Sequence, residues 1–448
     1  MPDVSRRRDS TSTGRPQLPP TAGLDGSQFR TAAEAASEPE SPATHRAGWV
    51  FITLYALALM GTSLVFLAPL LVTLALKVNS LVGIEQAPNS LGLVTGIGSL
   101  LAMVGNPFFG KMSDRTSSQL GMRRPWMIIG VMGGSLGILV VALAPSIPVV
   151  LVGWCIAQLM FNALLAALVA VLPDQVPTAQ RGLVSGVLGI CLPIASVTGT
   201  FVVQLFTGNQ LAMFLAPCAI GGFFILLFAA TLKDRRLARA DKPTWSLREF
   251  ASTFYVNPRT SPDFAWAFVS RFLLILAYAF LTTFQAYYLL DKIGSAEGDV
   301  PQQIFLGTLV QSAVIVAASL IGGKLSDLTG RRKIFVLTAS IIYGLAMFVV
   351  AIASSFNGFL VGMAIGGLGF GLYVAVDLAL VADVLRDKDR AKDLGVFNIA
   401  SALPFSVAPA IAPAILAIGG GSYGVLYAFA GVCAIIGAVA ILPVKRVR

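Results

Sequence analysis

Arg271 and Asp377 are the only charged residues inside the long apolar segments of this 448-residue sequence. A charge inside a bilayer costs about 2.5–3.5 kcal/mol on insertion scales, so such a residue usually has a function and faces the protein interior. Asp377 is the one carboxylate well inside an apolar segment, and desolvation allows a carboxylate to take up a proton. These two residues therefore predict proton binding inside a membrane. The alternative is a purely structural ion pair, or side chains that extend back to the membrane surface.

The sequence lacks the residues that several other kinds of site need. The single histidine, His45, lies in a polar stretch, which argues against a serine–histidine triad or a histidine-ligated metal. The four cysteines lie in apolar runs without a CxxC pair, so we expect neither a zinc site nor a disulfide framework. The sequence predicts neither an enzyme nor a bound cofactor.

The composition indicates a membrane protein. Hydrophobic residues make up 56% of the chain and charged residues 12%, about half of the ~25% that soluble proteins carry. From Trp49 onward, apolar runs recur that are long enough to cross a ~30 Å hydrocarbon layer as helices. The predicted spans are 49–76, 90–109, 126–145, 149–172, 182–206, 210–232, 264–290, 302–323, 334–355, 358–381, 395–418 and 422–443.

A glycine-rich run at 366–371 matches a nucleotide-binding loop only superficially. It lies inside an apolar span with no preceding strand, so we expect close helix packing instead. No Walker motif is present. An ion or solute gradient is therefore the expected energy source.

The charges between the spans predict the orientation. With both termini in the cytoplasm, the cytoplasmic linkers and the C-terminus carry 23 Lys and Arg, and the opposite side carries two, Lys77 and Lys292. This distribution is typical of a multi-pass protein of the plasma (inner) membrane. The net charge of +10 thus reflects topology, and we expect the lipid bilayer, not a nucleic acid, as partner.

An internal repeat divides the chain. Gly110, Lys111, Ser113 and Asp114 recur as Gly323, Lys324, Ser326 and Asp327, at a constant offset of 213. Parallel halves of this kind indicate a transporter with its site at their interface. The predicted organisation is a disordered cytoplasmic tail, an N-terminal half, a cytoplasmic linker and a C-terminal half, at residues 1–47, 48–232, 233–263 and 264–448.

The segment Gly110-Lys-Met-Ser-Asp-Arg resembles the signature loop of the major facilitator superfamily, and 323–333 repeats it. The resemblance implies an all-α protein with twelve transmembrane helices in two pseudo-symmetric halves, working as a monomer by alternating access. Helices 1, 4, 7 and 10 would line a central cavity, where Arg271 and Asp377 would meet as the coupling pair.

The two loops are the expected gate. Asp114 and Asp327 should close the cytoplasmic side of the outward-open state through basic residues and helix N-termini of the opposite half. The full set of predicted gate residues is Gly110, Asp114, Arg115, Arg123, Arg124, Gly323, Asp327, Arg331 and Arg332.

The first loop also resembles a narrower group. Nine positions separate Asp114 from Arg123, and the loop ends in Arg-Arg-Pro-Trp, as in sucrose transporters and the glycoside–pentoside–hexuronide cation symporters. That resemblance implies proton-coupled uptake of a small sugar or glycoside. Sucrose carriers have an Asp followed four residues later by an Asn in helix 4, where this chain has Gln158 and Asn162. Export of an amphipathic metabolite or drug, or a non-transporting sensor on the same fold, is the alternative.

Hydroxyl, amide and aromatic side chains on the cavity helices suit a neutral polyol. Each one singly can instead serve as a helix–helix contact. The predicted substrate and coupling residues are Arg271, Asp377, Gln158, Asn162, Tyr55, Gln285 and Tyr373.

Overall fold

The structure, a computed structural model, describes residues 46–237, 262–384, 397 and 399–444, without the side chains of 327 and 378–384. The predicted tail, 1–47, and linker, 233–263, fall largely outside the described residues. Their prediction is therefore not tested, and neither are the exact boundaries of the two halves.

Twelve helices within the described residues are long and apolar enough to cross a membrane. They are α1 Trp49–Val82, α2 Ala87–Asp114, α3 Arg124–Leu143, α4 Ile147–Gln175, α5 Thr178–Leu205, α6 Gln210–Thr231, α7 Pro262–Asp291, α8 Val300–Thr329, α9 Arg332–Ile352, α10 Phe356–Val384, α11 Pro404–Ile418 and α12 Tyr423–Ala440. The predicted all-α class and number of spans are confirmed. Several helices extend past their apolar runs, because a helix end that leaves the hydrocarbon layer tolerates polar residues.

The helices pack in two equivalent sets of six. In the first set α4 packs against α2 and α3, and α1 packs against α5 and α6. In the second set α10 packs against α8 and α9, and α7 packs against α11 and α12. The sets meet where α2 contacts α11, α5 contacts α8, and α1 contacts α7. The repeat in the sequence thus corresponds to a repeat in packing.

The glycine-rich run 366–371 packs α10 between two neighbours. A Cβ added to Gly367 would lie 2.6 Å from the carbonyl oxygen of Gln311 on α8, and one added to Gly369 would lie 2.6 Å from the backbone nitrogen of Tyr343 on α9. Only glycine allows backbones to approach so closely, and such approach supplies the van der Waals contact that joins helices in lipid. The run is a packing element, as the sequence analysis predicted.

The two faces of the membrane domain differ in charge. We call the face on which α1 begins the basic face, because the loops and helix ends around 111–124 and 331–333 carry Lys and Arg. The other face, where α1 ends, is the charge-poor face.

The two lysines of the charge-poor face bind helix ends. Lys77 donates to the carbonyl oxygen of Ala142 in the last turn of α3, at 3.0 Å. Lys292 donates to the carbonyl oxygen of Ala351 in the last turn of α9. A cation at a helix C-terminus satisfies an unpaired carbonyl and favours the helix dipole. The bond of Lys77 to the end of α3 allows α1 to continue to Val82, beyond the apolar run predicted to end at 76.

A π-helical turn, Pro69–Thr73, interrupts α1 close to the charge-poor face. Such a turn disturbs the regular hydrogen-bond ladder and often marks a functional place. Gln285 and Tyr287 on α7 donate to the carbonyl oxygens of Leu71 and Ala75, at 3.4 and 3.0 Å. These bonds join the two halves across the charge-poor face.

The α5–α8 contact lies on the same side of the membrane. The hydroxyls of Ser196 and Ser312 are 3.2 Å apart, and the rings of Phe201 and Phe305 have centroids 5.4 Å apart. The contacts between halves that these residues make lie in the middle of the membrane or toward the charge-poor face. Among the described residues, the two halves are therefore held together at that face, which we call the closed face.

The close packing of α10 predicts which glycine substitutions are costly. Gly369→Ala should destabilise the protein by about 1–3 kcal/mol, because the added methyl meets backbone atoms that cannot rotate away. Gly189→Ala on α5 is the matched control, because an added Cβ there has no neighbour within 4 Å. Unfolding midpoints in detergent measure both variants. Equal midpoints for the two would refute the packing argument.

Candidate functional site

Arg271 on α7 and Asp377 on α10 form an ion pair between Nη1 and Oδ2. Their side chains are 13% and 9% exposed, so the pair is largely withdrawn from solvent. The second carboxylate oxygen, Oδ1, accepts a hydrogen bond of 2.6 Å from the hydroxyl of Tyr373. Tyr373 lies four residues before Asp377, a spacing that places both on one face of α10. Both oxygens of the buried carboxylate therefore have a partner.

The guanidinium of Arg271 has contacts on its other side. Its Nε donates to the hydroxyl of Ser401 at 2.6 Å. Its central carbon lies 4.5 Å from the centroid of the Phe397 ring, within the range of a cation–π interaction. Phe397 and Ser401 precede α11, so the pair links three segments of the C-terminal half.

The position of the pair along the helices matters for access. Arg271 lies nine residues after the start of α7, and Asp377 lies seven residues before the end of α10. At 1.5 Å per residue, both are about 10–14 Å from helix ends at the basic face. The pair is thus on the side of the membrane opposite to the closed face.

A second polar group lies in the N-terminal half. Asn106 on α2 donates to the side-chain oxygen of Asn162 on α4 at 3.3 Å, and Asn162 donates to the main-chain carbonyl oxygen of Gln158 at 2.8 Å. Trp154, one turn before Gln158, has a buried indole N–H with no hydrogen-bond partner among the described residues. We call Asn106, Gln158 and Asn162 the amide cluster. It offers neutral hydrogen-bonding groups without a charge.

Two of the predicted substrate residues lie elsewhere. Tyr55 donates to the carbonyl oxygen of Leu168 at 3.0 Å, and its ring stacks on Phe228 with centroids 5.4 Å apart. Gln285 belongs to the contact between halves on the charge-poor face. Both are helix–helix contacts in this conformation, the alternative that the sequence left open. The structure thus brings together Arg271, Asp377 and Tyr373, and separately Gln158 and Asn162.

The loop between α2 and α3 surrounds a buried arginine. Arg123, whose side chain is 6% exposed, forms ion pairs with Asp114 at 2.6 Å and Asp174 at 2.9 Å. It also donates to the hydroxyl of Ser113 at 2.9 Å. Burial lowers the pKa of the Arg123 guanidinium, but Asp174 and then Asp114 outweigh burial, so this pKa lies above its ordinary value. Arg123 therefore stays charged and holds α2, α3 and α4 together.

Asp234, just after α6, caps the start of α3. One carboxylate oxygen accepts hydrogen bonds from the backbone N–H groups of Arg123 and Arg124, at 2.6 and 2.9 Å. A carboxylate at a helix N-terminus satisfies free N–H groups and the helix dipole. Gly121, with φ of +105°, has no side chain, and a Cβ there would collide with Asp234. Sequence reasoning missed Asp234 because over 100 residues separate it from its partners.

The remaining gate residues lie around the two loops. Arg115 caps the end of α2, Arg331 precedes α9 and Arg332 begins it. A Cβ added to Gly110 would lie 3.9 Å from Ala166, and one added to Gly323 would have no neighbour within 4 Å.

Asp114 pairs within its own half in this conformation, and the side chain of Asp327 lies outside the described residues. The predicted contacts with the opposite half belong to the outward-open state and stay a prediction.

The sequence matches the family model "Major Facilitator Superfamily" over residues 50–298 and 293–448. The chain belongs to the Major Facilitator Superfamily. This family and the twelve apolar helices indicate a multi-pass membrane protein of transporter type rather than an enzyme.

Solved transporters of similar fold have low sequence identity. The nucleoside transporter NupG superposes with a TM-score of 0.71 at 12% identity, covering 88% of this chain and 99% of that one. A bacterial homolog of the human lysosomal transporter Spinster, in an inward-facing and occupied conformation, gives 0.69 at 16% identity, covering 90% and 98%. At such identities the likeness shows the major facilitator fold alone.

Curated relatives match over shorter segments. Multidrug resistance protein MdtL of Vibrio parahaemolyticus is 32% identical over 152 residues, which are 33% of this chain and 38% of the relative. The protein of the same name from a Shewanella species is 31% identical over 127 residues, 28% and 32% of the two chains. The chain thus spans about a third of the length of the curated relatives that it matches.

The buried ion pair predicts a stability effect that depends on both partners. Arg271→Ala should destabilise the protein by about 3–5 kcal/mol, because it leaves a buried carboxylate without its cation. The neutral double variant Arg271→Met/Asp377→Leu should recover most of this loss, because neither charge remains. Thermal unfolding in detergent measures both. A double variant as unstable as the single one would show that packing, not charge, sets the effect.

The contacts of Arg123 predict that a substitution at Asp114 changes the transport rate but leaves folding nearly unchanged. Asp114→Asn should lower the transport rate by about tenfold, the size typical of a lost charge-assisted contact. Folding should be nearly unchanged, because Asp174 still pairs with Arg123 and Asp114 is half exposed. Asp291→Asn, at the far end of α7, is the matched control. An unchanged transport rate in Asp114→Asn would contradict a role in gating.

Proposed function

We propose that this protein is a proton-coupled exporter of amphipathic small molecules and that Asp377 binds the coupling proton. The observation that carries the proposal is the contact of Asp377 with both Arg271 and Tyr373. Tyr373 lies on the same helix as Asp377, whereas Arg271 lies on α7, so a proton on Asp377 weakens its link to another helix and changes helix packing. Proton binding and helix position are then linked.

The contacts suggest how that link works. A proton on Asp377 removes its charge and weakens the attraction to Arg271. Arg271 keeps Ser401 and Phe397, which precede α11. Arg271 would then move with the α11 segment rather than with α10. The ends of α7, α10 and α11 at the basic face would rearrange as a result.

The substrate class is supported by two observations. The curated relatives are named multidrug resistance proteins, which favours export of drug-like molecules over sugar uptake. In addition, Tyr55 and Gln285 use their polar groups on backbone carbonyls. A sugar site needs many free hydrogen-bonding groups, because each buried hydroxyl needs a partner. An amphipathic substrate needs fewer.

Uptake of a neutral sugar is the second candidate. The amide cluster of Asn106, Gln158 and Asn162 favours it, since amides bind hydroxyls without requiring charge. Gln158 and Asn162 also occupy the helix-4 positions at which sucrose carriers place an Asp and an Asn. A sugar symporter would couple through Asp377 as well, so the direction of coupling separates the two candidates.

The setting of the transporter is part of the proposal. We propose that the basic face is cytoplasmic in the plasma (inner) membrane, because Lys and Arg concentrate there. Both termini would then be cytoplasmic, and this conformation, closed at the charge-poor face, would face inward. We propose a monomer with halves at 48–232 and 264–448, because the ion-pair network is complete within one chain.

Transport by purified protein in liposomes tests the proposal. An acidic lumen should drive accumulation of ethidium by proton antiport, whereas an acidic exterior would drive labelled sucrose by symport. In Asp377→Asn, ethidium accumulation should fall by about tenfold or more, since a coupling residue acts on the driven step. Exchange of ethidium at equal concentrations should persist.

Control variants distinguish a loss of proton coupling from a loss of folded protein. Asp291→Asn makes the same chemical change at an exposed position and should accumulate ethidium like the wild type. Accumulation that survives in Asp377→Asn would refute Asp377 as the proton site. Sucrose accumulation without ethidium accumulation would replace the exporter with the sugar symporter.

A further inference from the structure

A cavity of about 340 Å³ opens at the charge-poor face, between the two halves and away from the ion pair of Arg271 and Asp377. One wall belongs to the N-terminal half and is formed by α1, the α5–α6 loop and the start of α6. The other wall belongs to the C-terminal half and is formed by the α7–α8 loop and the start of α8. The volume suits a small organic molecule, since such sites begin near 300 Å³.

The N-terminal wall is electropositive. Gln210, the first residue of α6, lines the cavity, and its side-chain oxygen accepts a hydrogen bond of 3.1 Å from Lys77. Lys77 is 6% exposed, and none of the ion pairs seen among the described residues gives it a carboxylate. The positive end of the α6 dipole lies at the same place. A buried cation and a helix N-terminus together favour an anionic group.

A free hydrogen-bonding group lies in this wall. Thr73, the last residue of the π-helical turn of α1, lines the cavity and is 2% exposed. Its hydroxyl is buried and has no partner among the described residues. A buried polar group without a partner is rare in proteins and calls for one. A rotation of the side chain that brings this hydroxyl to the cavity surface would let it donate to an anionic oxygen.

The C-terminal wall has the opposite character. Glu297 is the one charged residue that lines the cavity, and it is exposed to solvent. Its carboxylate favours an ammonium group. Apolar side chains of Leu76, Met213 and Pro301 complete the lining, and methionine adapts to varied apolar shapes. The cavity thus combines a positive wall, a negative wall and an apolar lining.

We infer that this cavity binds a small zwitterion with an apolar side group. Its anionic group meets Thr73 and the start of α6 near Lys77, and its ammonium meets Glu297. Because the walls belong to different halves, the bound molecule bridges them and holds the charge-poor face closed. It therefore acts on the transporter from the side opposite to the substrate path at the basic face. This site is independent of the proposed proton coupling.

Phenylalanine and two of its derivatives, all of similar size, test whether the ligand needs both an anionic and a cationic group. Phenylalanine carries both charges, its methyl ester carries only the cation, and N-acetylphenylalanine carries only the anion. Titration calorimetry on the full-length protein in detergent should show phenylalanine binding about tenfold or more tighter than either derivative, as expected when one charge-assisted contact is lost. Equal affinities for phenylalanine and a singly charged derivative would overturn the zwitterion site.

Variants locate the binding site. Glu297→Gln should weaken phenylalanine binding about tenfold and leave N-acetylphenylalanine unchanged. Thr73→Val keeps the shape of the residue and should weaken phenylalanine and N-acetylphenylalanine alike. Glu85→Gln, on the same face but outside the cavity lining, is the matched control and should bind like the wild type.

Two further outcomes complete the test. Binding lost in Asp377→Asn but kept in Glu297→Gln would place the ligand in the central site and overturn the inference. A failure of phenylalanine to bind the wild type would overturn it too. Neither result depends on ethidium transport. The zwitterion site and the proposed proton-coupled export can therefore each be refuted without the other.

Discussion

Hydrocarbon offers no hydrogen bond to a carbonyl, an amide or a charge, and that constraint places the buried ion pair and several other polar residues inside this protein. Arg271 and Asp377 satisfy each other, and Tyr373 and Ser401 take the positions that remain. The same need explains why Tyr55 and Tyr288 donate to main-chain carbonyls of neighbouring helices. These polar groups therefore hold neighbouring helices in place.

The constraint also explains why the two halves carry different polar groups inside the membrane. In the C-terminal half, one charge pair connects α7, α10 and the segment before α11. In the N-terminal half, the corresponding polar groups are neutral amides, and the charges gather at the basic face around Arg123. Among the described residues, the ion pair within the membrane therefore lies in the C-terminal half.

Much of this arrangement could be predicted from the sequence. Bilayer thickness fixes the length of a span, so the number of helices followed from the apolar runs. A charge inside a span must find a partner, so Arg271 and Asp377 were the obvious pair. The contacts of Gln285 and Tyr55 could not be predicted, because a polar residue on a helix can face a cavity or a neighbouring helix with the same spacing. Asp234 could not be predicted either, since its partners are main-chain N–H groups, which every residue has.

The bonds of Lys77 and Lys292 to the ends of α3 and α9 have a consequence for how this protein can change over evolution. Each lysine binds a main-chain oxygen, and the alanine that carries this oxygen contributes no side-chain atom to the bond. Every residue type has this main-chain oxygen, so a substitution at 142 or 351 that fits the packing presents the same acceptor. Such a substitution needs no compensating change at 77 or 292. Pairs of positions joined in this way would show no correlated variation among related sequences, although their physical contact is direct.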